Sequence, residues 1–148
     1  MSTKTTEHAL CVKSNLTNLV KISDFVAEEA TQLGLSQDKV FEVQMAVDEA
    51  CTNSMEHAYN GDSTGEVTVC CYAQDDDLVI RITDAGIPFD PGIVPEPDLS
   101  LPLEERSVGG LGLYLMRKLM DSVEFTMLHD KGNQVVMRKH LSSRTAQH

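Results

Sequence analysis

Apolar residues recur at helical spacing through the first third of the chain and at strand spacing through most of the remainder. After a polar start, "MSTKTTE", the segment "HALCVK" predicts a short strand. From residue 14 onward Leu16, Leu19, Val20, Phe25 or Val26, Ala30 and Leu33 fall near a 3.6-residue period, which predicts a helix. Ser14 or Asn15 can cap it and Gly34 can end it. "SQDKVFEVQMAVDEACTNSMEHAYNG" predicts a second helix, with Ser36 as N-cap and Asn60-Gly61 as the stop. The period then drops to two. "GEVTVCCYAQ" and "DLVIRITDAG" read as a hairpin turning at Asp75-Asp76-Asp77. All five prolines lie in residues 85–108, so a long loop is expected there. "GGLGLYLMRKLMD" predicts a third helix, and "SVEFTMLHD" and "QVVMRKHL" a second hairpin around "KGN".

The order strand, two helices, two strands, loop, helix, two strands predicts an α+β fold. It is a two-layer sandwich, with a mixed, mostly antiparallel sheet and its helices on one face. No repeat or composition shift divides residues 1–148, so one domain is expected, with a core of about 8–141.

Within the second helix, Val40, Val43, Val47, Ala50, Cys51, Ser54 and Met55 gather on one face at about 100° per residue, and that face should pack on the sheet. Glu49 and Asn53 form an i, i+4 pair on a different face, beside the small Ala46. Such a pair is an ordinary solvated face or a carboxylate and a carboxamide aimed at one ligand. An Asn oxygen can ligate Mg²⁺ without adding charge, and a Glu can accept a proton. An unperturbed Glu has a pKa near 4.3 and is ionised at neutral pH.

Two further stretches carry polar chemistry. In "TDAGIPFDP" a strand ends on Asp84, with Gly86 letting the chain turn. This is a simple strand-closing turn, or a buried carboxylate that accepts from an exocyclic amine such as adenine's. In "SVGGLGLYLM", Gly109, Gly110 and Gly112 open a helix whose backbone amides and dipole suit phosphate. It is neither a Walker loop nor a dinucleotide fingerprint.

Charge narrows the partners. Lys plus Arg is 12 against 23 Asp plus Glu, a formal net charge of −11, which disfavours a broad basic face for nucleic acid. A basic protein partner, or a ligand with metal-masked charge, fits better. Cys11, Cys51, Cys70 and Cys71 form no CxxC pair, so reduced thiols are expected, not zinc or a disulfide framework. No basic-then-apolar leader and no apolar run of 18 residues is present, so a cytoplasmic protein without a membrane segment is expected.

Together "DEACTNSMEHAY", "DAGIPFDP" and "GGLGLYLMRKLMD" resemble the N, G1 and G2 boxes of the GHKL ATP-binding fold. The resemblance is to the bacterial anti-sigma-factor serine/threonine kinases, over about residues 8–141. It implies roles position by position. Glu49 would be the general base, Asn53 the Mg²⁺ ligand, and Asp84 with Gly86 the adenine contact. Gly109, Gly110 and Gly112 would contact the phosphates of ATP. His57 would approach the phosphates or pack on its helix, and Arg106 would stand near the γ-phosphate. The substrate implied is an anti-sigma-factor antagonist protein, with a sigma factor as a second partner and a homodimer as the assembly.

The chain departs from the family at Gln134, where a Thr commonly assists the adenine carboxylate, and in a somewhat short 87–108 loop. These departures leave a rival reading: a non-catalytic ATP-binding or nucleotide-free module that sequesters a partner.

Overall fold

The computed structural model describes residues 6–89, 108–128 and 132–141. Five strands, β1 (His8–Lys13), β2 (Glu66–Gln74), β3 (Asp77–Asp84), β4 (Ser122–Met127) and β5 (Asn133–His140), form one sheet in the order β1-β2-β3-β5-β4. Every pairing among the described residues is antiparallel, in keeping with the expected mostly antiparallel sheet. Among the described residues three helices, α1 (Leu19–Gln32), α2 (Gln37–Asn53) and α3 (Val108–Leu119), cover one face. No helix among the described residues is long and apolar enough to cross a membrane.

Strand alternation explains the layering. Leu78, Ile80 and Ile82 of β3 and Val135 and Met137 of β5 share one core with Val26, Val43, Val47 and Met116 of the helices. Asp84 has the same parity as Ile80 and Ile82, and Asn133 the same as Val135 and Met137. Both polar residues are therefore delivered to the helix side, where they are buried.

The local signals hold with shifted boundaries. Asn15 caps a short 3₁₀ turn, Leu16–Asn18, by accepting from the Thr17 amide at 2.9 Å, and α1 begins only after it. The helix closes with Gly34 N–H on the Thr31 carbonyl and Leu35 N–H on the Ala30 carbonyl, a Schellman motif. Ser36 caps α2 as expected, accepting from the Lys39 amide. Asp75 and Asp76, at φ 55° and 67°, make the two-residue turn between β2 and β3 whose twist suits a hairpin.

Two corrections concern α2. It does not run as an α-helix to Asn60 but passes into a π-turn, Ser54–Ala58. Its Ala46 and Asn53 do not stand on an exposed face, for α2 lies between α1 and α3 and both residues are buried. Cys51, Cys70 and Cys71 are buried, Cys11 is exposed, and all four are free thiols. Burial pushes the Cys51 and Cys71 thiols far up, which keeps them protonated.

Candidate active site

Asp84, at the end of β3, anchors one end of the site. Its Oδ1 accepts from the Gly86 amide at 3.0 Å and from Asn133 Nδ2 at 3.0 Å. Among the described residues its second oxygen receives no hydrogen bond. The carboxylate thus keeps one acceptor for a ligand amine.

Asn133 was not legible as a site residue, yet it organises this end. Its Nδ2 also donates to the Ile87 carbonyl at 3.0 Å, and its Oδ1 accepts from the Phe89 amide at 2.9 Å. One side chain therefore holds the carboxylate and the chain beyond it. Gln134, expected to assist Asp84, pairs in register with Thr83. It borders the same narrow cleft as Asp84, Ala50, Ser54 and Phe89, but no hydrogen bond joins it to Asp84. Asn133, not Gln134, is the register partner of Asp84. The signal was present in the alternation Asn133, Val135, Met137.

Tyr59 was missed as well. Its hydroxyl donates to the Glu66 carbonyl at 2.7 Å and accepts from the Ala85 amide at 2.7 Å. The Ile87 amide donates to the Ala58 carbonyl at 2.7 Å. The turn after Asp84 is thereby fixed to the π-turn that follows α2. Gly86 is required by close approach, because a Cβ there would overlap the Ala58 carbonyl. Gly132 sits at φ 103°, and a Cβ on it would overlap the Asp84 carbonyl.

Glu49 and Asn53 occupy adjacent turns of α2. Glu49 is half-buried, and its pKa is raised by that burial, then by the charges of Asp48 and Glu56. The expectation of an unperturbed Glu is corrected accordingly. Asn53 is 8 % exposed, and no hydrogen bond joins its carboxamide to another described residue. A carboxamide with no partner among the described residues, on a residue otherwise largely buried, suits a ligand oxygen or cation.

His57, in the π-turn, is exposed, with its ring 5.7 Å from that of Phe89. Gly109 and Gly110 lie in the first turn of α3, where helix amides lack intrahelical acceptors, and Gly112 follows one turn after Val108. At the other end of α3, buried Lys139 donates to the Leu119 carbonyl and to Glu42 of α2, the latter at 2.7 Å. Arg106 lies outside the described residues, as does most of the 87–108 loop.

A family model described as histidine kinase-like ATPase domain matches residues 12–139. The chain is 35 % identical over 120 residues to a serine-protein kinase RsbW of Bacillus cereus, covering 78 % of this chain and 73 % of that protein. It is 41 % identical over 119 residues to the serine-protein kinase RsbW of Bacillus licheniformis, covering 76 % and 72 %. The chain belongs to the RsbW-type serine-protein kinases of the histidine kinase-like ATPase family. Use of ATP follows from that family.

The fold is also similar to that of solved structures. One contains the RsbU and RsbW domains of a Mycobacterium tuberculosis protein, with a TM-score of 0.66 at 14 % identity. This chain is covered to 92 % and spans about a third of that one, 32 %. A blue-light activated histidine kinase of Erythrobacter litoralis matches with a TM-score of 0.55 at 16 % identity, over 87 % of this chain and 42 % of that one.

Proposed function

We propose that the protein transfers the γ-phosphoryl group of Mg²⁺·ATP to a Ser or Thr of an anti-sigma-factor antagonist in the cytoplasm. It would itself act as an anti-sigma factor, with a sigma factor as its second partner. The observation that carries this reading is on α2: a carboxylate with raised pKa stands one turn before Asn53, whose carboxamide has no hydrogen-bond partner among the described residues.

The residues present fit the metal. Asn53 offers a neutral hard oxygen, and Mg²⁺ usually takes only one or two protein ligands alongside phosphate oxygens and water. When bound, Mg²⁺ would neutralise charge on the phosphates. The remaining work belongs to the chain. Asp84 accepts the exocyclic amine of adenine through its free oxygen, while Asn133 and Gly86 hold that oxygen's partner. First-turn amides of α3, at Gly109 and Gly110, receive phosphate oxygens, and Gly112 adds no side chain on the next turn.

Glu49 orients the acceptor hydroxyl and takes its proton as the oxygen–phosphorus bond forms and ADP leaves. Its raised pKa makes it a stronger base than an exposed Glu. The Gln134 departure no longer favours a non-catalytic module, since the position beside Asp84 is filled by Asn133.

The test is calorimetric ATP binding with and without Mg²⁺, followed by label transfer from γ-labelled ATP to the purified antagonist. Asn53→Ala is expected to lose the Mg²⁺-dependent part of the affinity, about ten-fold or more. Equal Mg²⁺-dependent binding by wild type and Asn53→Ala would remove Asn53 as ligand. Binding without label transfer would leave a nucleotide-binding sequestering module.

A further inference from the structure

Between α1 and α2 the fold leaves a run of large apolar side chains in water. Val20 is 66 % exposed, Phe41 61 %, Leu16 52 % and Met45 37 %. Leu19, Val20, Phe41 and Met45 line a cleft of about 370 Å³, with Asp48 at its edge. Beyond the helix pair, Leu16 of the turn before α1 and Met55 and Glu56 of the π-turn after α2 border a second cleft of about 310 Å³. Contiguous exposed apolar surface rimmed by charge marks an interaction site more often than chance.

The helical positions tie this surface to the base. Taking Phe41 as the origin and about 100° per residue, Met45 lies at about 40°, Glu49 at about 80° and Asn53 at about 120°. Glu49 therefore stands at a border, with the apolar stripe on one side and the amide on the other. Asp48 and Glu56, one at the edge of each cleft, are the two carboxylates whose charge acts on Glu49.

We propose that this α1–α2 groove seats the phosphoacceptor protein, which inserts an apolar ridge flanked by a Lys or Arg. The proposal rests on the kinase reading above and adds where the acceptor docks. Three arguments select that occupant. A hydroxyl handing its proton to Glu49 must come within about 3 Å of it, so the body of its protein has to cover surface next to Glu49. A protein–protein contact of ordinary size takes about 800 Å² per partner, more than the base alone can offer. The Asn53 side of Glu49 is committed to nucleotide, and the apolar stripe adjoins the other side. Charge agrees: the rim holds Asp48 and Glu56, burial raises Asp48 as it does Glu49, and a cation from the acceptor would relieve both.

The experiment is steady-state phosphotransfer to the purified antagonist protein by wild type, Val20→Asp, Phe41→Asp and Phe41→Leu. ATP affinity and sedimentation are measured on the same samples. Both Asp variants sit at exposed positions, and retained ATP binding shows that they fold. KM for the acceptor is expected to rise about ten-fold or more in the Asp variants, with kcat and ATP affinity held within about two-fold and Phe41→Leu close to wild type.

An unchanged acceptor KM in both Asp variants would overturn the proposal. So would dissociation of a dimer by those variants with the acceptor KM unchanged, which would give the groove to a second copy of the chain. No transfer by wild type would sink the kinase reading itself, and this inference with it.

Discussion

At the Asp84 end of the site, protein groups answer one another. Asn133 spends three hydrogen bonds on Asp84, Ile87 and Phe89, and Tyr59 joins the Ala85 amide to β2. At the Glu49 end the neighbours that act on the carboxylate, Asp48 and Glu56, carry its own sign. The first end is rigid before a ligand arrives. The second stores unfavourable charge that a cation and a reacting hydroxyl can relieve. Recognition and chemistry are thus built on opposite principles within one stretch of α2 and its neighbours.

The largest expected effect tests the strained end. Glu49→Gln should slow phosphotransfer by about 10²–10⁴-fold while ATP binding stays. A raised carboxyl pKa means that folding favours its protonated form. The stabilisation is present below the unfolded pKa and is lost as pH rises through the folded one. At neutral pH the ionised Glu49 therefore costs stability, and Glu49→Gln should melt higher than wild type while being far less active. A variant equally active, or one that melts lower at pH 7, would break the contrast. The acid limb of kcat should also lie above the ordinary carboxylate range and move down in Asp48→Asn.

Next comes the matched end. Asn133→Ala strips partners from a buried carboxylate and from the Phe89 amide, at about 1–3 kcal/mol. It should raise KM for ATP far more than it changes kcat, measured at saturating acceptor. Equal affinity in the variant would mean that Asp84 needs no such support. Tyr59→Phe removes one hydroxyl and should cost about 1 kcal/mol in urea unfolding, again with ATP affinity affected before kcat.

The smallest effect lies far from both, at the end of β5. His140 is raised by its hydrogen bond to Asp77 at 2.5 Å, with Asp121 adding to it. The direction matches Glu49, but the meaning is opposite, because here the charged form is the favoured one. Its stabilisation is full below the unfolded pKa and is lost as pH rises through the raised folded value. The melting difference between wild type and His140→Gln should shrink from pH 6 to pH 8; a constant difference would assign it to packing.

Much of the fold was legible in the sequence because period and capping are local. The strands, the Ser36 cap, the Asp75-Asp76 turn and the order of layers follow from spacing alone. Asn133 and Tyr59 were not legible, because their roles depend on which strand lies beside β3 and on how α2 ends. That Asn133 and not Gln134 pairs with Asp84 was hidden for the same reason: parity is meaningful only once the register to Asp84 is known. The shift of Glu49 also needed three dimensions, since burial, not its immediate neighbours in the chain, is the larger cause.

The π-turn at Ser54–Ala58 bears on how this stretch can vary. It holds one residue more than an α-helical turn would, closed by the Tyr59 amide on the Ser54 carbonyl at 3.2 Å. Deleting any one of these five residues would restore regular helix but swing Tyr59 by about 100°. Its hydroxyl would leave the Ala85 amide, and its ring would vacate the space beside Gly65. The spacing between Asn53 and Tyr59 cannot change whatever letters fill it, so the segment is constrained in length as well as in its charged positions.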